Sequence, residues 1–276
     1  MRILVTSASG ANGNGYGALL SFGPEGEFIG PFSNDARIAD PRGLSLDPSG
    51  ALVYLNSGDG RVLALDHRGH IVRDSGQMPR LDPGGGIFGP DGRYYVGLRR
   101  RRTILALPAA LDGQGENLLP TASSRSRAGS ASAATAGSTS RPERRLRRRR
   151  QRHRRVRHAG TLCTPRLVTD LELSPLDLTV APGGNIVVSS EHPFGAADAA
   201  VSVREYEPAT GRLVRVLTAE PSVGFRRPRG LRFGPGGRLY CVGEDHVAAF
   251  DFATGSFAGP VVQLTGLNGQ ALVLTP

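Results

Sequence analysis

A four-residue turn of the form x-Pro-x-Gly recurs along the chain and constrains its fold more than any other feature. It reads Asp47-Pro48-Ser49-Gly50, Gly89-Pro90-Asp91-Gly92, Ala181-Pro182-Gly183-Gly184 and Gly234-Pro235-Gly236-Gly237, and a fifth copy is cut short at Pro276. Proline presets φ and glycine accepts positive φ, so each copy reverses the chain between two short apolar runs. The prolines stand 42, 92, 53 and 41 residues apart. A repeat of about 45 residues holding several strands marks the blades of a β-propeller. The step of 92 residues is two periods, so one unit has lost its signature.

Period-two alternation between the turns predicts four strands per unit. The unit from Pro228 reads Leu231-Phe233, Leu239-Val242, Val247-Phe252 and a strand entering Phe257. The unit from Pro175 reads Leu178-Val180, Ile186-Val188, Val201-Tyr206 and Leu213-Leu217, and the unit from Pro41 reads likewise. The two ends complete each other. Gly269 to Pro276 supplies an inner strand, and Met1-Val5, Gly17-Phe22 and Glu27-Ile29 supply the other three. Pairing the C-terminal strand with the N-terminal strands closes the ring and removes free edges. The expectation is an all-β, six-bladed propeller in a single domain of 276 residues.

The chain carries 34 basic residues, all of them arginine, for a net charge of +10. Thirteen lie between Thr121 and Gly160, against the single acid Glu143. The remainder holds 21 arginines and 23 acids, a net of −2. Residues 121–160 contain Leu146 and Val156 as their only large aliphatics, too little apolar surface to offset the entropy of ordering, so the segment is expected to be disordered. It reads as a basic arm for nucleic acid, as a solvated linker, or as a blade translated out of frame. The last fits best. With GC-rich codons for Arg127 to Arg141, one shifted frame spells PRGLGFGRDGRLYLA, matching Pro41-Arg42-Gly43-Leu44 and Pro228-Arg229-Gly230-Leu231 followed by a turn and a strand. Nucleic acid is therefore disfavoured as a partner. No apolar run approaches a membrane span, and the opening Met1-Val5 run is too short for a signal, so the expected location is cytoplasmic. Two cysteines, Cys163 and Cys241, make neither a disulfide framework nor a zinc site.

The Pro-Arg-Gly-Leu…Pro-x-Gly-Arg-Leu-Tyr units resemble NHL repeats and the related six-bladed senescence-marker/gluconolactonase superfamily. The WD dipeptide family is disfavoured because the chain has no tryptophan. The resemblance implies that loops entering the first strand and loops joining the second and third strands share one face around the channel. That face would gather Asn12, Asn14, Arg42, Asp59, Arg99 to Arg102, Asp177, Glu191, His192, Arg229, Glu244, Asp245 and Asn268. Arg42, Asp59, Arg229, Glu244 and Asp245 are the candidate binding residues, with Arg42 and Arg229 at equivalent strand entries suited to an anion. The expected role is a scaffold binding a small molecule or a protein on the channel face. The alternative that the resemblance implies is a lactone hydrolase. In that family a Glu, Asn and Asp set holds a divalent cation, calcium or zinc, which polarises a lactone carbonyl and activates water. Asp177 would take the place of the Asp and Asn268 that of the Asn, but Gln270 begins the closing strand where the Glu would stand. Glu191-His192 is the candidate catalytic pair, a carboxylate beside a potential general base, in what reads as a long loop from Ser189 to Ala199.

Overall fold

In the computed structural model of the chain, the Pro-x-Gly segments form the turns their residues predict. The structure describes residues 1–8, 15–78, 82–98, 103–113, 115–117, 155–156, 162–164, 168, 170–196 and 198–276. Gly50, Gly92, Gly184 and Gly237 occupy equivalent turn positions with φ of 74°, 74°, 88° and 76°, a region open to glycine at little cost. The amides of Gly50, Gly92 and Gly184 close the first three turns onto the carbonyls of Asp47, Gly89 and Ala181.

Among the described residues, five antiparallel four-stranded sheets surround an axis. The closing blade combines both ends of the chain: β1 (Arg2–Ser7), β2 (Ala18–Phe22) and β3 (Phe28–Ser33) follow the last strand, β22 (Gly269–Thr275). The next blade comprises β4 (Gly43–Leu46), β5 (Val53–Ser57), β6 (Arg61–Leu65) and β7 (Ile71–Asp74). The third comprises β8 (Pro83–Phe88), β9 (Tyr94–Leu98), β10 (Thr103–Leu107) and β11 (Glu116–Asn117). After a two-stranded pair, β12 (Arg155–Val156) with β13 (Leu162–Thr164), comes a blade of β14 (Pro175–Val180), β15 (Ile186–His192), β16 (Ala200–Tyr206) and β17 (Leu213–Leu217). The last comprises β18 (Leu231–Phe233), β19 (Arg238–Val242), β20 (His246–Asp251) and β21 (Phe257–Gln263). The innermost strands follow one another as β8, β4, β22, β18 and β14. Among the described residues, no helix is long and apolar enough to cross a membrane.

The all-β propeller and its terminal closure are as expected, but the blade count is not. Among the described residues there are five four-stranded blades rather than six, and of these residues only the pair β12–β13 forms strands in the interval where the sixth was expected. The physical reason lies in the residues: as written, 121–160 offers two large aliphatics where every other unit offers a full alternating set. The expectation of disorder for 121–160 lies almost wholly outside the described residues, as do Asn12, Asn14 and Arg99 to Arg102.

Each adjacent pair of blades shares an apolar seam, and strand parity decides which residues enter it. Ile3 and Val5 of β1 pack toward Val242 and Val247, whereas Leu4 packs toward Leu44 and Leu55. Tyr54 and Val62 meet Tyr94 and Val96, and Val187 and Val203 meet Leu231 and Leu239. Parity also exposes the flanks of the interval between β8 and β14. Phe88 turns toward Tyr54, so Ile87 points away and is 68% exposed. Asp177 turns toward β18, so Leu178 and Val180 point away, 48% and 60% exposed. On the same face Val188 and Tyr206 are covered by Val168 and Leu173. This asymmetry predicts two different mutational costs. Leu239→Ala, at a fully buried seam position, should lower unfolding free energy by about 2–5 kcal/mol. Leu178→Ser should change it by no more than about 0.5 kcal/mol. Urea denaturation of both variants checks this, and a cost for Leu178→Ser near that of Leu239→Ala would show that its side chain is covered.

Candidate functional site

The Pro-Arg-Gly-Leu motif builds the mouth of the channel. Its glycine lets successive inner strands approach closely: a Cβ on Gly43 would lie 2.5 Å from the Gly84 carbonyl, and one on Gly230 would lie 2.8 Å from Ala271 Cα. Its arginine is fixed by the backbone, since the Arg42 amide donates to Asn56 O at 2.8 Å and the Arg229 amide to Val242 O at 2.7 Å. Two arginines are thus carried to corresponding places at the entries to β4 and β18. On β8 the Asn56 amide donates to Gly84 O at 2.8 Å, and the Tyr94 hydroxyl donates to Asn56 Oδ1 at 3.1 Å, holding a glycine run against the channel.

These strands enclose a cavity of about 360 Å³. Its charged and polar walls are Arg42, Asp177, Arg229, Arg232 and Gln270, and its apolar walls include Leu44, Pro175, Leu176, Phe194 and Ala271. All five inner strands or the residues entering them contribute. Arg232 reaches across it. One Nη donates to Asp177 Oδ2 at 3.2 Å and to Leu231 O at 2.6 Å, and the other donates to Leu44 O at 2.8 Å. Asp177 Oδ2 also accepts the Leu231 amide at 3.0 Å. The Arg42 guanidinium is held by Asp40. Arg229 lies against the Phe194 ring, 5.7 Å from its centroid. Burial lowers the Arg229 pKa from the ordinary arginine value; Glu191 opposes that shift, and the charges of Arg227 and Arg42 add to it. Arginine nonetheless stays protonated in proteins.

The structure brings Arg42, Asp177 and Arg229 into one cavity and places the other candidates elsewhere. Glu191 and His192 are not in a loop: β15 runs on through them, pairing Glu191 with Val201 and His192 with Ala200. Glu191 is 4% exposed, its Oε2 has no hydrogen-bond partner, and the His192 ring lies 3.4 Å from Ser174 Oγ. Asp59 receives the Arg61 guanidinium at 3.1 Å, and Glu244 pairs with Arg227 at 3.0 Å. Asp245 accepts the Gly266 amide at 2.9 Å. Asn268 sits at φ 45° and donates to Ala8 O at 2.9 Å, so it serves as a left-handed corner. Gln270, Phe194 and Arg232 are cavity residues that sequence reasoning did not select. Arg232 was legible in principle, because it alternates with buried Leu231 on an inner strand.

A divalent cation does not fit what these residues offer. The Asp177 oxygen that would ligate it already holds a guanidinium and a backbone amide, and the neighbouring positive charge of Arg232 opposes a second cation. Among the described residues no group of three or more His, Cys, Asp or Glu side chains is disposed to hold a metal ion.

No family model matches the chain. No curated protein matches it either. Solved structures do resemble it. The X-ray structure of a proposed gluconolactonase aligns over 82% of this chain and 79% of its own, at 18% identity and a TM-score of 0.55. The WD40 β-propeller domain of Doa1 aligns over 95% of this chain and 79% of its own, at 12% identity and a TM-score of 0.54. At these identities the likeness shows the propeller fold. A streptogramin B lyase aligns over 97% of this chain and 72% of its own at 11% identity, with a TM-score of 0.37.

The Asp177 geometry yields a prediction. Asp177→Ala removes the acceptor of the Leu231 amide, next to a side chain with no exposure. Leaving that donor unpaired should cost about 1–3 kcal/mol. Asp177→Asn keeps an acceptor and should cost less. If Asp177 served mainly as a metal ligand, calcium or zinc would raise the wild-type melting temperature but not that of Asp177→Ala. Thermal unfolding with and without each metal separates the two roles.

Proposed function

We propose that this chain is a ligand-binding β-propeller of the NHL and gluconolactonase-like type, with a small molecule held in the axial cavity. The observation that supports this reading is the convergence of all five inner strands on one cavity of about 360 Å³, a size within the range of small-molecule sites. Much of its wall is inner-strand backbone, and the charges of Arg42, Asp177 and Arg232 are fixed by hydrogen bonds, an arrangement suited to presenting polar groups with little reorganisation. A protein partner on the same face would use the rim; the concave, mixed polar and apolar wall favours a small molecule.

Gly85 provides the test. It lines the cavity, and a Cβ there would meet only Asp177 Oδ1, at 4.0 Å. Gly85→Phe should therefore fill the cavity while leaving the melting temperature close to wild type. A fragment library screened by ligand-observed NMR should give hits with the wild type that are lost in Gly85→Phe. Hits that persist in the variant would place binding outside the channel.

A second reading, a metal-dependent lactone hydrolase, draws on one specific observation: Asp177 stands on the cavity wall, where that chemistry would need a carboxylate. It would require Asp177 to exchange Arg232 for a cation. Hydrolysis of a simple lactone such as δ-valerolactone, followed with and without calcium, zinc or a chelator, discriminates the readings. The binding reading expects no metal-dependent turnover; turnover that a chelator abolishes and Asp177→Asn eliminates would replace it with the hydrolase.

A further inference from the structure

Within the channel-cavity reading above, on which this inference rests, we propose that Arg229 anchors the carboxylate of a small organic acid whose apolar body lies against Phe194. Three guanidinium groups line the cavity. Two are engaged: Arg42 by Asp40, and Arg232 by Asp177 and the carbonyls of Leu231 and Leu44. Arg229 is different: its side chain has no hydrogen bond or ion pair among the described residues. Its Nε, like that of Arg42, is buried without an acceptor.

Glu191 is the acid whose charge most favours Arg229, yet it makes no ion pair with it, and its own Oε2 lacks a partner. The Nε of this half-buried side chain has therefore lost water without gaining a contact acceptor, which is costly on a charged group. An incoming carboxylate would supply two oxygens to its planar fork, a geometry that guanidinium matches better than ammonium. Of the three guanidinium groups only that of Arg229 lacks a contact acceptor among the described residues, so one added negative charge is better matched than two.

The remaining wall fixes the rest of the ligand. Phe194 is 56% exposed at the cavity edge, with the Arg229 guanidinium on its ring. Leu44, Pro175, Leu176 and Ala271 continue the apolar surface inward. A compact acid with a flat apolar body presents its charge to Arg229 and its body to Phe194. A polyanion or a sugar with no apolar face uses only part of this wall.

The test is a ligand-observed NMR titration with four probes: benzoate, benzamide, acetate and inorganic phosphate. Benzoate should saturate the wild type, with benzamide, acetate and phosphate each at least tenfold weaker. Arg229→Gln should weaken benzoate at least tenfold and leave benzamide unchanged, a split that a general folding defect would not produce. Phe194→Ala should weaken benzoate and leave acetate unchanged. Equal affinity for benzoate and benzamide, or unchanged benzoate affinity in Arg229→Gln, overturns the carboxylate assignment. Phosphate binding as tightly as benzoate overturns it in favour of a phosphate. If Arg229→Gln fails to fold, the benzoate-to-benzamide ratio in the wild type and the Phe194→Ala result decide alone. Loss of both aromatic probes in Gly85→Phe, with equal affinities in the wild type, keeps the channel site while removing its acid specificity. Benzoate binding that survives Gly85→Phe, or no binding by any probe, overturns both.

Discussion

The pairing of β1 with β22 is the contact on which the rest of the molecule depends. It joins residues at opposite ends of the chain, from Arg2 opposite Thr275 to Ser7 opposite Gly269. Two of the apolar seams pass through this one blade: Ile3, Val5 and Leu272 belong to the seam with β19 and β20, and Leu4 and Val273 to the seam with β4 and β5. At the channel end, Thr6 Oγ1 accepts the Ala271 amide at 2.9 Å, and Ser7 Oγ donates to Leu267 O at 2.5 Å. Both side chains are fully buried, so these hydrogen bonds also satisfy groups that could not otherwise be desolvated. The same strand pair places Gln270 and Ala271 on the cavity wall. Closure of the ring and completion of the site are thus one structural event.

A single repeated motif serves packing and chemistry together. In Pro-Arg-Gly-Leu the leucine enters an interblade seam, the glycine admits the neighbouring inner strand, and the arginine is left at the channel mouth. Gly43 and Gly230 are required because backbone atoms of the next strand lie where a Cβ would go. Repetition would by itself concentrate like charges at the axis. The chain relieves this with carboxylates: Asp40 holds Arg42, Asp177 holds Arg232, and Glu244 holds Arg227. Arg229 is left out of this pairing, with Glu191 at longer range. A site whose arginines are paired at all but one position has a defined point of attachment, and that is what makes Arg229 informative.

Much of the fold could be read from the residues because its determinants are local. The Pro-x-Gly turns and the alternation of the strands from Leu231 to Tyr240 depend on neighbours in sequence, each end of the chain carries the strands that the other lacks, and all of these appear in the structure. Blade number depends instead on what fills the interval between β8 and β14, where the written residues lack the alternation that predicts a blade. Glu191 and His192 were misplaced for a related reason. Ser189, Ser190, Glu191 and His192 show no apolar alternation, yet β15 continues through them because the ladder to β16 is set by backbone pairing. The cavity was legible only in part: strand entries marked Arg42 and Arg229, whereas Phe194 reaches the wall from the loop after β15.

The commitment of Asp177 to Arg232 bears on how far a shared architecture carries a shared chemistry. A propeller offers the same set of inner-strand positions to any chemistry, and a carboxylate at one of them is compatible with metal ligation, with ion pairing or with capping of a backbone amide. Here the partners decide. Asp177 accepts the Leu231 amide and the Arg232 guanidinium, and Arg232 continues across the channel to Leu44 O. This chain of contacts ties β14, β18 and β4 together through side chains, so removing Asp177 from it would release a guanidinium into the cavity as well as a carboxylate. A cation entering there would have to compete with that loss and with the field of Arg42 and Arg229. An anion meets neither obstacle. What the three strands leave to a ligand is the guanidinium of Arg229, the one on the cavity wall without a contact acceptor among the described residues.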